Sequence, residues 1–261
     1  MSDANLPAWR RPDVVSYYTN LTDLTACERS IFPVHFRQGM TILDIGVGAG
    51  RTTSFLKEIA GHYVGIDYSE KMIDACRCRF PELEFHVMDA TDMSTFRADS
   101  FDAILFSFNG IDSLHPDEKR LRCLRECYRI LRSSGTFVFS AHSPKALLFR
   151  HLFVAYLVPS LKGSISEKAR GILRAVYRHG RFDLQAAAWV AFLRGQGYVN
   201  ELASPTRRAP SVLAHVSTPR HVEHEMNLLG FKLVEIRGSE YPKPDIGYVT
   251  QWYYYVFTKQ S

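Results

Sequence analysis

Long apolar runs are missing from this 261-residue chain. No stretch of about 18 uninterrupted apolar residues occurs, so no transmembrane helix is expected. The apolar core of a signal peptide is missing too, because Met1 to Arg11 is polar and contains proline. Cysteine is scarce: five residues, an odd number without the spacing of a disulfide framework. That excludes a small secreted scaffold and points to a reducing, cytoplasmic setting. Cys76 and Cys78, and Cys123 and Cys127, fall on predicted helices, and no further Cys or His completes a metal set around them. They read as buried structural thiols, and no metal is expected. Internal repeats and low-complexity segments are absent as well. What remains is 46% hydrophobic and 13% aromatic, enough for a substantial core.

Charge of one sign is unevenly spread. Residues 144–215 hold 11 Lys+Arg against 3 Asp+Glu, or +8, whereas the rest holds 21 against 24, or −3, giving the net +5. The basic character therefore belongs to one segment.

Around that segment, strand and helix signals alternate. Thr41 to Ile45 is a short β-branched run that stops at an acid and meets three glycines at alternate positions, Gly46, Gly48 and Gly50. A helix is expected over Thr52 to Ala60 and a second strand over Tyr63 to Asp67. Ser69 is a predicted N-cap for a helix reaching Arg79. Leu83 to Met88, Phe101 to Phe106 and Thr136 to Ser140 read as further strands, with an amphipathic helix over Asp117 to Leu131. Thr218-Pro219 starts a helix to Leu229, and Phe231 to Ile236 and Val249 to Thr258 read as two last strands. The pattern predicts an α/β fold, a doubly wound and mostly parallel seven-stranded sheet. Four parts are expected: a helical leader over 1–38, a cofactor-binding half over 39–143, a basic and apolar insertion or cap over 144–215, and a closing part over 216–261. Within the insertion, Trp189 to Leu202 suits a hairpin across Arg194 to Gly197 or a helix.

In such a sheet, ligands lie beyond the carboxyl ends of the strands. Asp44, Asp67, Asp89 and the group Ser107-Phe108-Asn109 all fall there. Glycines let the backbone approach a ligand closely, and an acid about 20 residues past a glycine turn commonly takes a ribose diol. Asp67 stands 21 residues past Gly46. These residues describe a site for an adenosine-type cofactor. A dinucleotide site would show G-x-G-x-x-G, but here the third glycine comes one position early.

At this point the sequence resembles the class I S-adenosylmethionine-dependent methyltransferases. The first motif is Leu43-Asp44-Ile45-Gly46-Val47-Gly48-Ala49-Gly50, and the second runs from Gly65-Ile66-Asp67 to Met72. Asp89-Ala90, Phe101 to Leu105, and Leu124 to Leu131 with Gly135 follow in the family's order. The resemblance implies that Gly46, Gly48 and Gly50, with Asp44 nearby, line the methionine part of S-adenosylmethionine. It places Asp67 on the ribose hydroxyls, Tyr68 and Met72 beside the adenine, and Asp89 with the Ala90 N–H on the adenine edge. Ser107 and Asn109 would lie at the sulfonium end, Arg51 at the cofactor carboxylate, and Tyr17 or Tyr18 as a cover. The product would be S-adenosylhomocysteine.

A hydroxyl acceptor needs a base. His142, just past the fifth strand, is the first candidate, and His115 and His215 are weaker ones. The turn Asn109-Gly110-Ile111-Asp112 departs from the (N/D)PPY form of many DNA and glutamine methylators. The expected acceptor is therefore an oxygen or nitrogen of a small molecule: a natural product, a sugar or an anionic metabolite, possibly partly apolar. An RNA or protein methyltransferase docking through the basic insertion is the alternative, and a non-catalytic cofactor-binding regulator is another. Nucleic acid is not favoured, because the insertion lacks aromatic–basic interleaving. Its apolar run, Leu147 to Leu161, suits burial, a pocket wall or weak interfacial membrane contact.

Overall fold

A computed structural model of the chain describes residues 4–145, 190–205, 209–245 and 250–260. The apolar run at 147–161 and most of the basic segment therefore lie outside the described residues. Three short helices come first: α1 (Leu6–Trp9), α2 (Pro12–Asn20) and α3 (Ala26–His35). A Thr25–Glu28 capping box opens α3. The alternating part follows as β1 (Met40–Ile45), α4 (Thr53–Leu56), β2 (Ala60–Asp67), α5 (Glu70–Arg79), β3 (Glu84–Val87) and β4 (Phe101–Phe106). A 3-10 turn at Gly110–Ser113 leads to α6 (Asp117–Ile130) and β5 (Leu131–His142). After the undescribed stretch come β6 (Gln196–Leu202), β7 (Ser211–Ser217), α7 (Pro219–Leu228), β8 (Phe231–Gly238) and β9 (Trp252–Lys259).

Seven strands form one sheet in the order β3-β2-β1-β4-β5-β9-β8, parallel from β3 to β5, with β9 antiparallel to both neighbours. The order reverses between β1 and β4, which opens a crevice at the carboxyl ends of these two strands. The central strands are apolar on both faces because both faces are covered. Leu43, Ile45 and Ile104 pack on one side with α6 and α7 residues such as Leu124 and Met226. Ile42, Leu105 and Val138 pack on the other with Ile31 and Phe32 of α3 and Ile73 of α5.

Three details differ from the sequence reading. The helix expected over Thr52 to Ala60 shortens to Thr53–Leu56 and tightens into i→i+3 bonds from Glu58 to Phe55 and Ile59 to Leu56, so β2 starts at Ala60. Residues 190–194 are helical, and Gln196–Leu202 pairs antiparallel with Ser211–Ser217 and not across Gly195. The expected buried thiols hold for Cys76, Cys123 and Cys127, but Cys78 is exposed, two positions around α5 from the face that Cys76 buries. Among the described residues, no helix is long and apolar enough to cross a membrane.

Candidate active site

β1 ends in the glycine turn, and three glycines there adopt positive φ. They differ in what they face. A Cβ on Gly46 would stand 2.7 Å from the Phe106 ring, whereas at Gly48 nothing lies within 4 Å. Gly46 is thus held by packing, and Gly48 leaves its backbone open to the crevice. Gly50 packs against Phe80, behind the cavity wall. The Gly48 N–H donates to Asp67 Oδ2 at 3.0 Å, and the Cys76 thiol donates to the Gly48 carbonyl at 3.0 Å. The turn is therefore tied to both β2 and α5.

Asp67, at the end of β2, takes the Ser69 N–H on its other oxygen at 2.8 Å. Each oxygen keeps acceptor capacity beyond its one N–H. Burial pushes this carboxyl up to about 6, against the pull of the two N–H groups. The hydroxyl of Ser69, the predicted cap, donates instead to the Trp9 carbonyl. Asp44 is more enclosed: burial pushes it up to about 7, and its Oδ2 accepts from Thr52 and Tyr63 hydroxyls at 2.6 and 3.0 Å. Gly46, Gly48, Asp67, Tyr68, Met72, Asp89 and Ala90 all line one cavity of about 550 Å³. Within it, Asp89 is exposed and Ala90 buried.

The cavity continues past the end of β4, where Arg51 and Ser107 are not free. Both Arg51 guanidinium nitrogens bind Glu28 of α3, at 2.6 and 2.5 Å. The Ser107 hydroxyl also donates to Glu28, as does that of Tyr254 at 2.9 Å. Burial alone would raise the Glu28 carboxyl, but Arg51 and Ser107 outweigh it and hold it below the usual range. Arg51, expected at the cofactor carboxylate, instead spends its fork on Glu28 and rests 4.6 Å from the centre of the Phe108 ring. Glu28 joins the leader, the glycine turn, β4 and β9 at one buried point.

Phe108 and Asn109 both take left-handed backbone, φ 53° and 60°. That costs energy for residues with a Cβ, and the Ser140 Oγ holds the turn by accepting the Asn109 N–H at 2.7 Å. The strained turn puts Asn109 and Asp112 beside His142, the last residue of β5. Asp112 Oδ2 accepts from the His142 backbone N–H at 2.7 Å and lies 2.9 Å from Nδ1. Nε2 on the far side of the ring meets Asn109 Nδ2 at 3.1 Å and Glu201 Oε1 of β6 at 3.4 Å. Burial pulls the imidazole down, but Asp112 and Glu201 outweigh it and push it up to about 10. A protonated Nε2 calls for the Asn109 amide oxygen, which has no other partner, reached by a half-turn of the amide.

Of the other histidines, His115 lies off the cavity with its ring edge-on to Tyr198. His215 is fully buried behind Asp112, its Nδ1 3.9 Å from Asp112 Oδ1. Tyr17 and Tyr18 line the cavity, and the Tyr18 hydroxyl donates to the Ala203 carbonyl just past β6. Sequence reasoning did not pick out three acids that the structure pairs with candidate site residues: Glu28 with Arg51, and Asp112 and Glu201 with His142. The capping box at Thr25–Glu28 was readable as a helix start, but nothing local marks Glu28 as the partner of Arg51.

Among the described residues the cavity lining carries Asp44, Asp67, Asp89, Asp112 and Glu201 against Arg51, which Glu28 neutralises, and His142, which Asp112 and Glu201 flank. Such a wall suits a sulfonium cation, and Asp67 suits a diol. The S-adenosylmethionine implied by the motifs therefore fits this end of the cavity.

Comparison with known proteins agrees. Residues 42–135 match the family model of a methyltransferase domain. A demethylmenaquinone methyltransferase of Beutenbergia cavernae is 30% identical over 172 residues, which is 63% of this chain and 70% of that protein. One from Clavibacter sepedonicus is 33% identical over 55% of this chain and 58% of its own length. The chain thus spans little more than half of the latter relative, and about half of some others. A methyltransferase structure from Methanosarcina mazei superposes with a TM-score of 0.60 at 17% identity, over 91% of this chain and 99% of that one. The 1,6-didemethyltoxoflavin-N1-methyltransferase of Burkholderia thailandensis gives 0.59 at 16% identity, over 100% and 92%. At these identities the structural likeness speaks for the fold alone. With the motifs, the sheet order and a relative matched over most of its length, the chain belongs to the class I S-adenosylmethionine-dependent methyltransferases.

Proposed function

We propose that the chain transfers a methyl group from S-adenosylmethionine to an oxygen or nitrogen of a small, flat, largely apolar acceptor. The observation that carries this reading is the His142–Asp112 pair, which opens onto the same cavity as the glycine turn. Gly46, Gly48, Asp67, Met72, Asp89 and Ala90 would hold the cofactor, with Asp67 on the ribose hydroxyls. When bound, the cofactor supplies an electrophilic methyl on its sulfonium. The protein's task is then alignment and handling of one proton, and alignment alone can contribute about 7–11 kcal/mol.

Asp112 fixes the His142 ring with its Nδ1–H inward, which leaves Nε2 as the base toward the cavity. The neutral His142 ring would take the O–H proton of an acceptor hydroxyl at Nε2, while the methyl passes to that oxygen and the S–CH3 bonding electrons stay with the sulfur of the departing S-adenosylhomocysteine. Phe108, Trp252 and Tyr18 line this end with rings, and Leu114 and Leu202 add aliphatic surface to the cavity. Such a lining favours an aromatic acceptor, and relatives named demethylmenaquinone methyltransferase are in keeping with it. With no unpaired Lys or Arg on the lining among the described residues, a neutral acceptor fits better than the anionic metabolite of the sequence reading.

The test is labelled S-adenosylmethionine incubated with the protein and cell extract, split into small-molecule, lipid, RNA and protein fractions. Label is expected in an apolar small-molecule or lipid fraction. Label confined to RNA or protein would overturn the proposal.

A further inference from the structure

His142 is held from two sides by carboxylates of very different setting. Asp112, from the 3-10 turn after β4, is 1% exposed and holds Nδ1. Glu201, from β6, is 46% exposed and reaches Nε2 at 3.4 Å. Among the described residues, its remaining neighbours include Asn109, the Trp252 ring of β9 at 6.2 Å between centroids, and His215 of β7 beyond Asp112. No cation among these offsets the two acids.

Resting on the base role of His142, we propose that Glu201 is a positioning residue that shares Nε2 with the acceptor and must yield that position when the acceptor's hydroxyl enters. The geometry supports this because an acceptor proton reaches the base only through Nε2, Nδ1 being taken by Asp112. A half-exposed carboxylate can swing to solvent at little cost, whereas Asp112 is enclosed and cannot. Removing Glu201 from Nε2 also removes one of the two charges that favour the protonated ring. Acceptor entry therefore frees the atom and raises the fraction of the ring in the neutral form that can take a proton. The contact belongs to the β6–β7 pair, which also touches the leader through Tyr18 with Ala203 and Asn5 with Leu213. Loss of the Glu201 contact leaves those anchors in place, so the strand pair keeps its seat while the carboxylate moves.

The experiment is an NMR titration of the His142 ring in the full chain, wild type against Glu201→Gln, which needs no acceptor. The midpoint is expected to move to lower pH by about one pH unit or more, the effect of removing an opposite charge at this distance. Once an acceptor is in hand, the acid limb of kcat/KM should move by the same amount, raising kcat/KM near neutral pH about tenfold. Asp112→Asn serves as the control that shifts the ring by removing the inner carboxylate. An unmoved His142 midpoint in Glu201→Gln would overturn the proposal and leave Glu201 a structural contact of the strand pair. Failure to find a small-molecule acceptor would count against the proposed function and not against this titration.

Discussion

The two ends of the cavity are built in different ways. The proposed cofactor end is assembled from one continuous stretch, Asp44 to Ala90, in which three parallel strands each deliver residues where they stop. The proposed acceptor end draws on Tyr18 of α2, Asn109 and Asp112 after β4, His142 of β5, Glu201 of β6 and Trp252 of β9. The first end is mostly backbone and acids on a rigid scaffold. The second is side chains converging from distant segments, on a turn held in left-handed backbone. Such a division lets one cofactor site serve many acceptors, since the parts that meet the acceptor vary without disturbing the strand ends.

The comparison can be broken first at Glu28, the point where both ends meet. Glu28→Ala leaves Arg51 buried without its partner, and a loss of about 3–5 kcal/mol in denaturant unfolding is expected. A loss under about 1 kcal/mol would mean that the two ends are held independently of this pair. Next comes separation of function. His142→Ala should lower kcat by about 10²–10⁴ while cofactor affinity in a binding titration stays unchanged. A parallel fall in cofactor affinity would merge the two ends.

Asp67→Asn should do the reverse. It keeps the shape but removes the charge, so cofactor affinity should weaken by about a hundredfold, with kcat at saturating cofactor little altered. The smallest effect is a pH dependence of the wild type. Asp67 is raised to about 6 by burial, and its ionised form is the one that accepts from the ribose. Cofactor affinity should therefore hold above this pH and fall by up to about tenfold for each pH unit below it. Isothermal titration at several pH values checks this, and Asp67→Asn should flatten the profile.

Legibility followed the same division. The alternating strands, the glycine turn and the strand-end acids were readable because parallel strands and their turns have local signatures of period, length and residue type. The order of the seven strands agrees with the predicted doubly wound sheet, and His142 was picked out by its place after a strand. The pairing of Arg51 with Glu28, 23 positions away on another element, was not readable. Asp112 carried no local sign of pairing with His142, since only the left-handed turn at Phe108 and Asn109 brings it there. Glu201 lay in a segment that the sequence left open between a hairpin across Arg194 to Gly197 and a helix, whereas its strand partner is Ser211–Ser217.

The sequence by itself determined the sheet, the turn and the acids that stand at its edge, because each depends on neighbours a few positions away. Only the tertiary structure decided that Arg51 is neutralised, that His142 sits between two carboxylates and that the lining offers an acceptor rings in place of cations. Those are pairings of charges and side chains across 23 to more than 200 positions, and their partners are set by packing, which no local pattern encodes.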